Sequence, residues 1–313
     1  MDAYVLKEAG SVEQLQIENL EKPTPSADEV LIKVKALSIN PVDIKTRLGK
    51  SMYANLRENF ETIILGWDVS GIVESVGSDV TGFKPGDAVF GMINFPGHGK
   101  AYAEYVAAPA SHLALKPSNI SHEEAAAATL AALTAYQILS RHLKPGDKIL
   151  IHAAAGGVGH FAVQIAKILG AHVTATVSEK NIAFAKSLGA DEIVDYTKQP
   201  FENVAKNLDF VLDTLSGETL ERTIQTVRKG GTIITIPSAG FNEEIVAKGK
   251  AHQVTIGFEM VASNGNDMKQ IAQWLKSGQL KAEVSQVFPF DKLRDAHTQI
   301  ESGRTRGKVV VII

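Results

Sequence analysis

Cysteine is absent from all 313 residues, which excludes disulfides, iron–sulfur clusters, thiol nucleophiles and every cysteine-containing zinc site. An excess of positive charge is absent too. Lys and Arg number 32 against 35 Asp and Glu, a net charge of −3, and the basic residues are scattered along the chain. Neither a nucleic-acid surface nor an anionic-membrane anchor is expected. No apolar run approaches the ~20 residues that span a bilayer. Met1-Asp2-Ala3-Tyr4 has no basic stretch leading into an apolar one, so no signal peptide is read and a cytoplasmic address is expected. What is present is ordinary for a folded protein: 44% hydrophobic and 21% charged residues, in a length that suggests about two domains at roughly 150 residues each.

The first 120 residues read as short strands and turns. Val30 to Leu37 alternates, Gly71 to Val76 is a second β-rich run, Ala88 to Phe90 a third, and proline and glycine punctuate between them. Near Ser118 the texture changes. Ser121-His122-Glu123-Glu124 has the form of a capping box, and an alanine-rich helix is predicted through about Leu139. From Lys148 strands and helices alternate, with strands expected at 149–152, 172–177, 192–195, 208–213, 232–236 and 254–258. Six strands with helical crossovers imply a doubly wound parallel sheet, an α/β domain. After a helix at 267–276 the text turns β-like again at 283–290 and 308–313. The chain therefore divides into a β-rich domain at 1–120, completed by 280–313, and a parallel-sheet domain at 121–279.

Between the first predicted strand of that sheet and its helix stands Ala153-Ala154-Ala155-Gly156-Gly157-Val158-Gly159. Aligned to G-x-G-x-x-G, the three positions are Ala154, Gly156 and Gly159. Gly156 lets the backbone approach a pyrophosphate, Gly159 lets helix and strand pack closely, and the free amides at the helix start hold phosphate. A dinucleotide site is the reading. The next strand ends in Ser178-Glu179-Lys180. Ser178 can donate to an adenosine 2′-phosphate and Lys180 can neutralise it, which favours NADPH over NADH. Ser178 can equally cap the following helix, and Glu179 turned inward would repel that phosphate.

Several segments together resemble the medium-chain dehydrogenase/reductase superfamily, in its zinc-free quinone oxidoreductase and enone reductase branch. They are Asn40-Pro41-Val42-Asp43, Gly66-Trp67-Asp68-Val69-Ser70-Gly71, Lys84-Pro85-Gly86-Asp87, Ala101 to Val106, Leu133-Thr134-Ala135-Tyr136, the glycine loop, and Ser302 to Lys308. The resemblance covers almost the whole chain. It implies a GroES-like β-rich domain beside a Rossmann domain, with the active site in the cleft between them, and a homodimer formed through the Rossmann sheet. In zinc-dependent members a cysteine, a histidine and a second cysteine hold the metal. Those places fall here on Asn40, Trp67 and Leu130, an amide, an indole and an alkyl group, so no zinc is expected.

Without a metal to polarise a carbonyl, a conjugated acceptor is the easier substrate, because hydride added at carbon sends charge onto oxygen. The resemblance thus implies NADPH-dependent reduction of a quinone or an α,β-unsaturated carbonyl. It places Asn40 and Thr134 at the nicotinamide end, and Gly156, Gly157 and Val158 along the pyrophosphate. Ser178, Lys180 and Tyr196 surround the adenosine phosphate, and Asp213, Pro237 and Ser238 stand at or near later strand ends. Tyr53 is the nearest tyrosine to the Asn-Pro-x-Asp segment and the candidate proton donor, solvent being the other source. Asp213 and Ser238 can also be simple caps. Trp67 is read as packing that fills the former metal volume and His152 as structural and bonded to backbone; Asn94 to Lys100, with His98, reads as a mobile lip, either shaping the substrate mouth or an ordinary mobile loop. An NADPH-binding protein with little catalysis and an enoyl-thioester reductase stay open beside the main reading.

Overall fold

The computed structural model describes residues 1–237 and 241–313; Ser238 lies outside them. The chain forms two units, one of residues 1–133 and 261–313 and one of residues 134–260.

The first unit is built on the strand Glu29–Ile39. Its alternating Val30, Ile32 and Val34 point into a core with Val69, Val73, Val89 and Val106, which is the period-2 pattern read from the sequence. Glu29–Ile39 pairs antiparallel with Asp68–Val76, Tyr105–Pro109 and Lys308–Ile312. Three further strands, Ala88–Met92, Ala114–Leu115 and Val284–Pro289, extend this sheet, and a smaller three-stranded sheet contains Asp2–Leu6. The late strand Lys308–Ile312 is therefore an internal member of a sheet begun some 270 residues earlier.

The second unit is a six-stranded parallel sheet. Edge to edge it runs Glu192–Asp195, His172–Val177, Lys148–Ile151, Leu208–Asp213, Val227–Thr235 and Thr255–Phe258. Numbered along the chain within the unit, that order is 3-2-1-4-5-6, the order of a Rossmann sheet. Its strands carry continuous apolar runs because both faces are covered, and Leu150, Val194, Val211, Ile233 and Ile256 are buried among Phe201, Leu208 and Leu220.

The alanine-rich stretch is not one helix. It folds as His122–Ala127 and Leu130–His142, broken at Ala128 and Thr129, where the Thr129 hydroxyl bonds back to the Ala126 carbonyl at 2.8 Å. Alanine propensity favours continuity, so the break has a tertiary cause. The Leu130 amide is released to donate to the buried Asp68 carboxylate. The division between the two units falls inside the second of these helices, after Leu133.

Candidate active site

In the second unit the glycine loop joins the strand Lys148–Ile151 to the helix Gly157–Ile168, with Gly156 as the N-cap residue. A Cβ at Gly159 would lie 2.3 Å from the Ala153 carbonyl oxygen and 2.7 Å from the Ala154 Cα. No side chain fits there, and the close approach of helix to strand depends on that absence. Ala153 takes a left-handed backbone with φ +46, closed by the Gly156 amide on the Ala153 carbonyl at 2.8 Å. The first intrahelical bond runs from His160 N–H to the Gly156 carbonyl, so Gly157, Val158 and Gly159 present amides with no partner among the described residues. Gly156, Gly157 and Val158 are half-buried and accessible. This cradle fits a pyrophosphate.

At the adenosine end, Val177 and Asp195 are register partners, and the Tyr196 amide donates to the Val177 carbonyl. Ser178 and Tyr196 thus leave the sheet side by side. Tyr196 is 58% exposed. Ser178 accepts from Asn181 Nδ2 at 3.3 Å and keeps its own proton free to donate. Lys180 is exposed. Lys198, which the sequence reading did not single out, reaches Glu179 with Nζ 2.5 Å from Oε1.

Asp213 is fully buried. Its carboxylate accepts from the Leu215 and Ser216 amides at 3.0–3.1 Å and from the Thr235 hydroxyl at 2.8 Å, which is the capping role. Pro237 follows the strand that bears Thr235 and is half-buried. Thr134 is buried on the helix Leu130–His142. His152 is held between two hydroxyls, Nδ1 with Thr176 and Nε2 with Thr223, and burial lowers its pKa to about 4. It is a neutral structural ring, bound by side chains and not by backbone.

In the first unit three strand ends meet around a buried polar cluster. Asn40 follows the strand Glu29–Ile39 as N-cap of the helix Pro41–Arg47, Asp68 begins Asp68–Val76, and Lys308 begins Lys308–Ile312. Asn40 Nδ2 donates to Asp68 Oδ2 at 2.7 Å, and the Leu130 amide donates to Asp68 Oδ1 at 2.9 Å. Lys308 Nζ donates to the Ile39 carbonyl at 3.2 Å and to Asn40 Oδ1, and lies 3.6 Å from Asp68 Oδ2. Burial pushes the Lys308 pKa down, opposed by the charges of Asp68 and Asp43. Asp43, whose Oδ2 accepts from the Asn40 amide at 2.6 Å, is pushed up to about 8 by burial. Asn40 therefore does not hang free. Both ends of its amide are engaged, which fixes which atom faces which way.

Tyr53 opens the helix Tyr53–Asn59, is half-buried, and its hydroxyl accepts from the Ala9 amide at 3.2 Å, so its proton stays available. Trp67 is wholly buried, donates to the Gly97 carbonyl at 2.9 Å, and packs edge-on against Phe95. The segment read as a mobile lip is pinned. His98 Nε2 accepts from the Ile64 amide at 3.0 Å, its ring lies against Phe60, and burial lowers its pKa to about 4. Phe95 and Ser263 exchange two hydrogen bonds. The glycines and the histidine of this segment serve close packing: a Cβ on Gly99 would sit 2.0 Å from the Gly66 carbonyl oxygen.

Two family models match the chain, the alcohol dehydrogenase GroES-like domain over residues 26–118 and zinc-binding dehydrogenase over residues 188–311. A 2-methylene-furan-3-one reductase of Solanum lycopersicum is 38% identical over 99% of this chain and 79% of its own length. An NADPH-dependent alkenal/one oxidoreductase of Arabidopsis thaliana, chloroplastic, is 35% identical over the same shares. The structure of a quinone oxidoreductase from Coxiella burnetii superposes with a TM-score of 0.93 at 34% identity, covering 100% of this chain and 99% of the other. The chain belongs to the medium-chain dehydrogenase/reductase superfamily.

The three positions that the resemblance aligns with zinc ligands carry groups with other tasks. Asn40 and Leu130 are both bonded to Asp68, and Trp67 fills space and bonds to Gly97. Among the described residues no group of three His, Asp or Glu side chains is arranged to hold a metal ion, and none of their helices is long and apolar enough to cross a membrane. The Asp68–Lys308 pairing went unread in the sequence because 240 residues separate its members and nothing local marks either as buried.

Proposed function

We propose that this protein is an NADPH-dependent, zinc-independent oxidoreductase that reduces quinones or α,β-unsaturated carbonyls. The observation that carries the reading is the amide cradle at Gly156–Gly159 together with a donor set at Asn40, Trp67 and Leu130 that is wrong for zinc and already bonded within the protein. The names of the two reductase relatives and of the quinone oxidoreductase neighbour support the acceptor class.

In this reading Gly156, Gly157 and Val158 hold the pyrophosphate, and Thr134 serves the nicotinamide end. Ser178, Lys180 and Tyr196 bind the adenosine 2′-phosphate. Asp213 shapes the neighbouring loop through its caps, and Pro237 and Ser238 are further coenzyme contacts of this reading. When bound, NADPH supplies the hydride for a conjugated acceptor. The protein's part is to orient and to exclude water. Asn40, locked by Asp68 and Lys308, offers a fixed amide donor to an acceptor oxygen, and Tyr53 or solvent supplies the proton that the reduced acceptor takes up. A homodimer is part of the same proposal, since Thr255–Phe258 is an edge strand with one neighbour among the described residues.

The test follows NADPH and NADH oxidation with a quinone, a short-chain enone and a saturated aldehyde, each with and without a chelator. Chelator-insensitive turnover of the conjugated acceptors alone, with NADPH preferred, is the expected result. Tight NADPH binding with no turnover of any acceptor would sink the hydride-transfer claim.

A further inference from the structure

We infer that Lys198 sets the choice of coenzyme: its ammonium, seated on Glu179 beside Ser178 and Tyr196, screens that carboxylate and adds a cation for the adenosine 2′-phosphate. The inference rests on the reading of the coenzyme as NADPH and assigns a discriminating role to a residue outside the motif that suggested it.

The starting point is the charge at the ends of two neighbouring strands. His172–Val177 and Glu192–Asp195 pair in parallel with Val177 opposite Asp195, so the segments Ser178–Asn181 and Tyr196–Lys198 emerge together. Two carboxylates lie there, Glu179 and Asp195, against two ammonium groups, Lys180 and Lys198. Lys180 forms no ion pair among the described residues. Lys198 Nζ stands 2.5 Å from Glu179 Oε1 and 3.9 Å from Asp195 Oδ2. Asp195 is further occupied by the Thr197 amide at 3.0 Å and the Thr197 hydroxyl at 2.6 Å, while Glu179 has Lys198 as its ion-pair partner.

Removing the Lys198 charge leaves two carboxylates and one lysine where a doubly charged phosphate has to bind. It also frees Glu179, and an acidic side chain just past the second strand of such a sheet is the group that bonds the ribose 2′-hydroxyl in NAD sites. One ammonium thus acts with both signs, favouring the phosphorylated ribose and denying the plain one its acceptor. Glu179 and Lys198 have side chains 67% and 58% exposed. A pair so exposed contributes little to folding, so its substitution reads coenzyme choice and not loss of structure.

The experiment is calorimetric titration of the full chain with adenosine 2′,5′-bisphosphate and with 5′-AMP. For Lys198→Ala the bisphosphate weakens by about tenfold or more while 5′-AMP is unchanged or tighter. Lys198→Arg keeps the wild-type preference. The double variant Lys198→Ala/Glu179→Gln regains most of the lost bisphosphate affinity, because the carboxylate that needed screening is gone. Binding within twofold of wild type for Lys198→Ala, alongside a tenfold loss for Lys180→Ala, would overturn the inference and leave the NADPH reading intact. Equal binding of the two nucleotides by the wild-type chain would instead remove the NADPH reading, and the inference with it.

Discussion

Replacing Lys308 by methionine takes one ammonium out of the interior of the first unit, with the two hydrogen bonds it donates and the counter-charge it sets beside Asp68. The Ile39 carbonyl, Asn40 Oδ1 and Asp68 Oδ2 each lose a donor or a counter-charge. The side chains of Lys308 and Asp68 are 3% and 0% exposed, so water does not step in to screen them. Breaking a buried pair by removing one partner costs about 3–5 kcal/mol, because the other charge stays behind uncompensated. In a unit of this size each kcal/mol moves the midpoint by roughly 2–4 °C, so a drop of about 6–20 °C is expected. Both tryptophans of the chain, Trp67 and Trp274, belong to this unit, which makes tryptophan fluorescence during thermal unfolding a report on it alone. The double variant Lys308→Met/Asp68→Asn removes both charges and recovers at least about 1 kcal/mol of the loss, a coupling that an additive pair lacks. A Lys308→Met midpoint within 2 °C of wild type, or a double variant no better than the sum of the singles, would refute the account of this cluster.

Three other expectations can be checked in the same way. Asp43 has a folded pKa of about 8 against 3.8 in the unfolded chain. Its contribution is thus full below about pH 4 and is lost as the pH climbs towards 8, and Asp43→Asn flattens urea-measured stability across that window. His297, lowered to about 3 by burial and then by Arg47, works in the opposite sense. The folded ring stays neutral while the unfolded one takes a proton below about 6.5, so stability falls as the pH drops through that range, and His297→Gln lessens the difference between melts at pH 7 and pH 5. Gly159→Ala forces a Cβ against the Ala153 carbonyl, at 2.3 Å before any shift, costs about 1–3 kcal/mol by overpacking, and weakens NADPH binding in a fluorescence titration more than it weakens the fold.

Much of this architecture is legible in the chain because it rests on local rules. Alternation at Val30–Leu37 marks a half-buried strand, and the apolar run at Ile149–Ile151 followed by Gly156 and Gly159 marks the strand–loop–helix of a dinucleotide site. What escaped depends on partners far apart in sequence. The break at Ala128–Thr129 defies alanine's helix preference, and its cause is Asp68. Asn40 is read from its motif alone, which does not show that Lys308 and Asp68 hold it. The glycines around His98 suggest mobility, although each serves close packing against Gly66, Trp67 and Asn94. Lys198 carries no motif, and only the register of two strands brings it to Glu179.

The pairing of Lys308–Ile312 with Glu29–Ile39 fixes an order of events on the ribosome. The second unit, 134–260, is continuous in sequence and has every strand it needs once it has emerged. The first unit lacks an interior strand, and the cation for its buried carboxylate, until a segment 269 residues downstream of Ile39 has been made. The earlier-synthesised β-rich half therefore waits, with Asp68 unneutralised and a sheet edge open, while the later half finishes. During that interval its open strand edge is the part of the chain most exposed to wrong pairing.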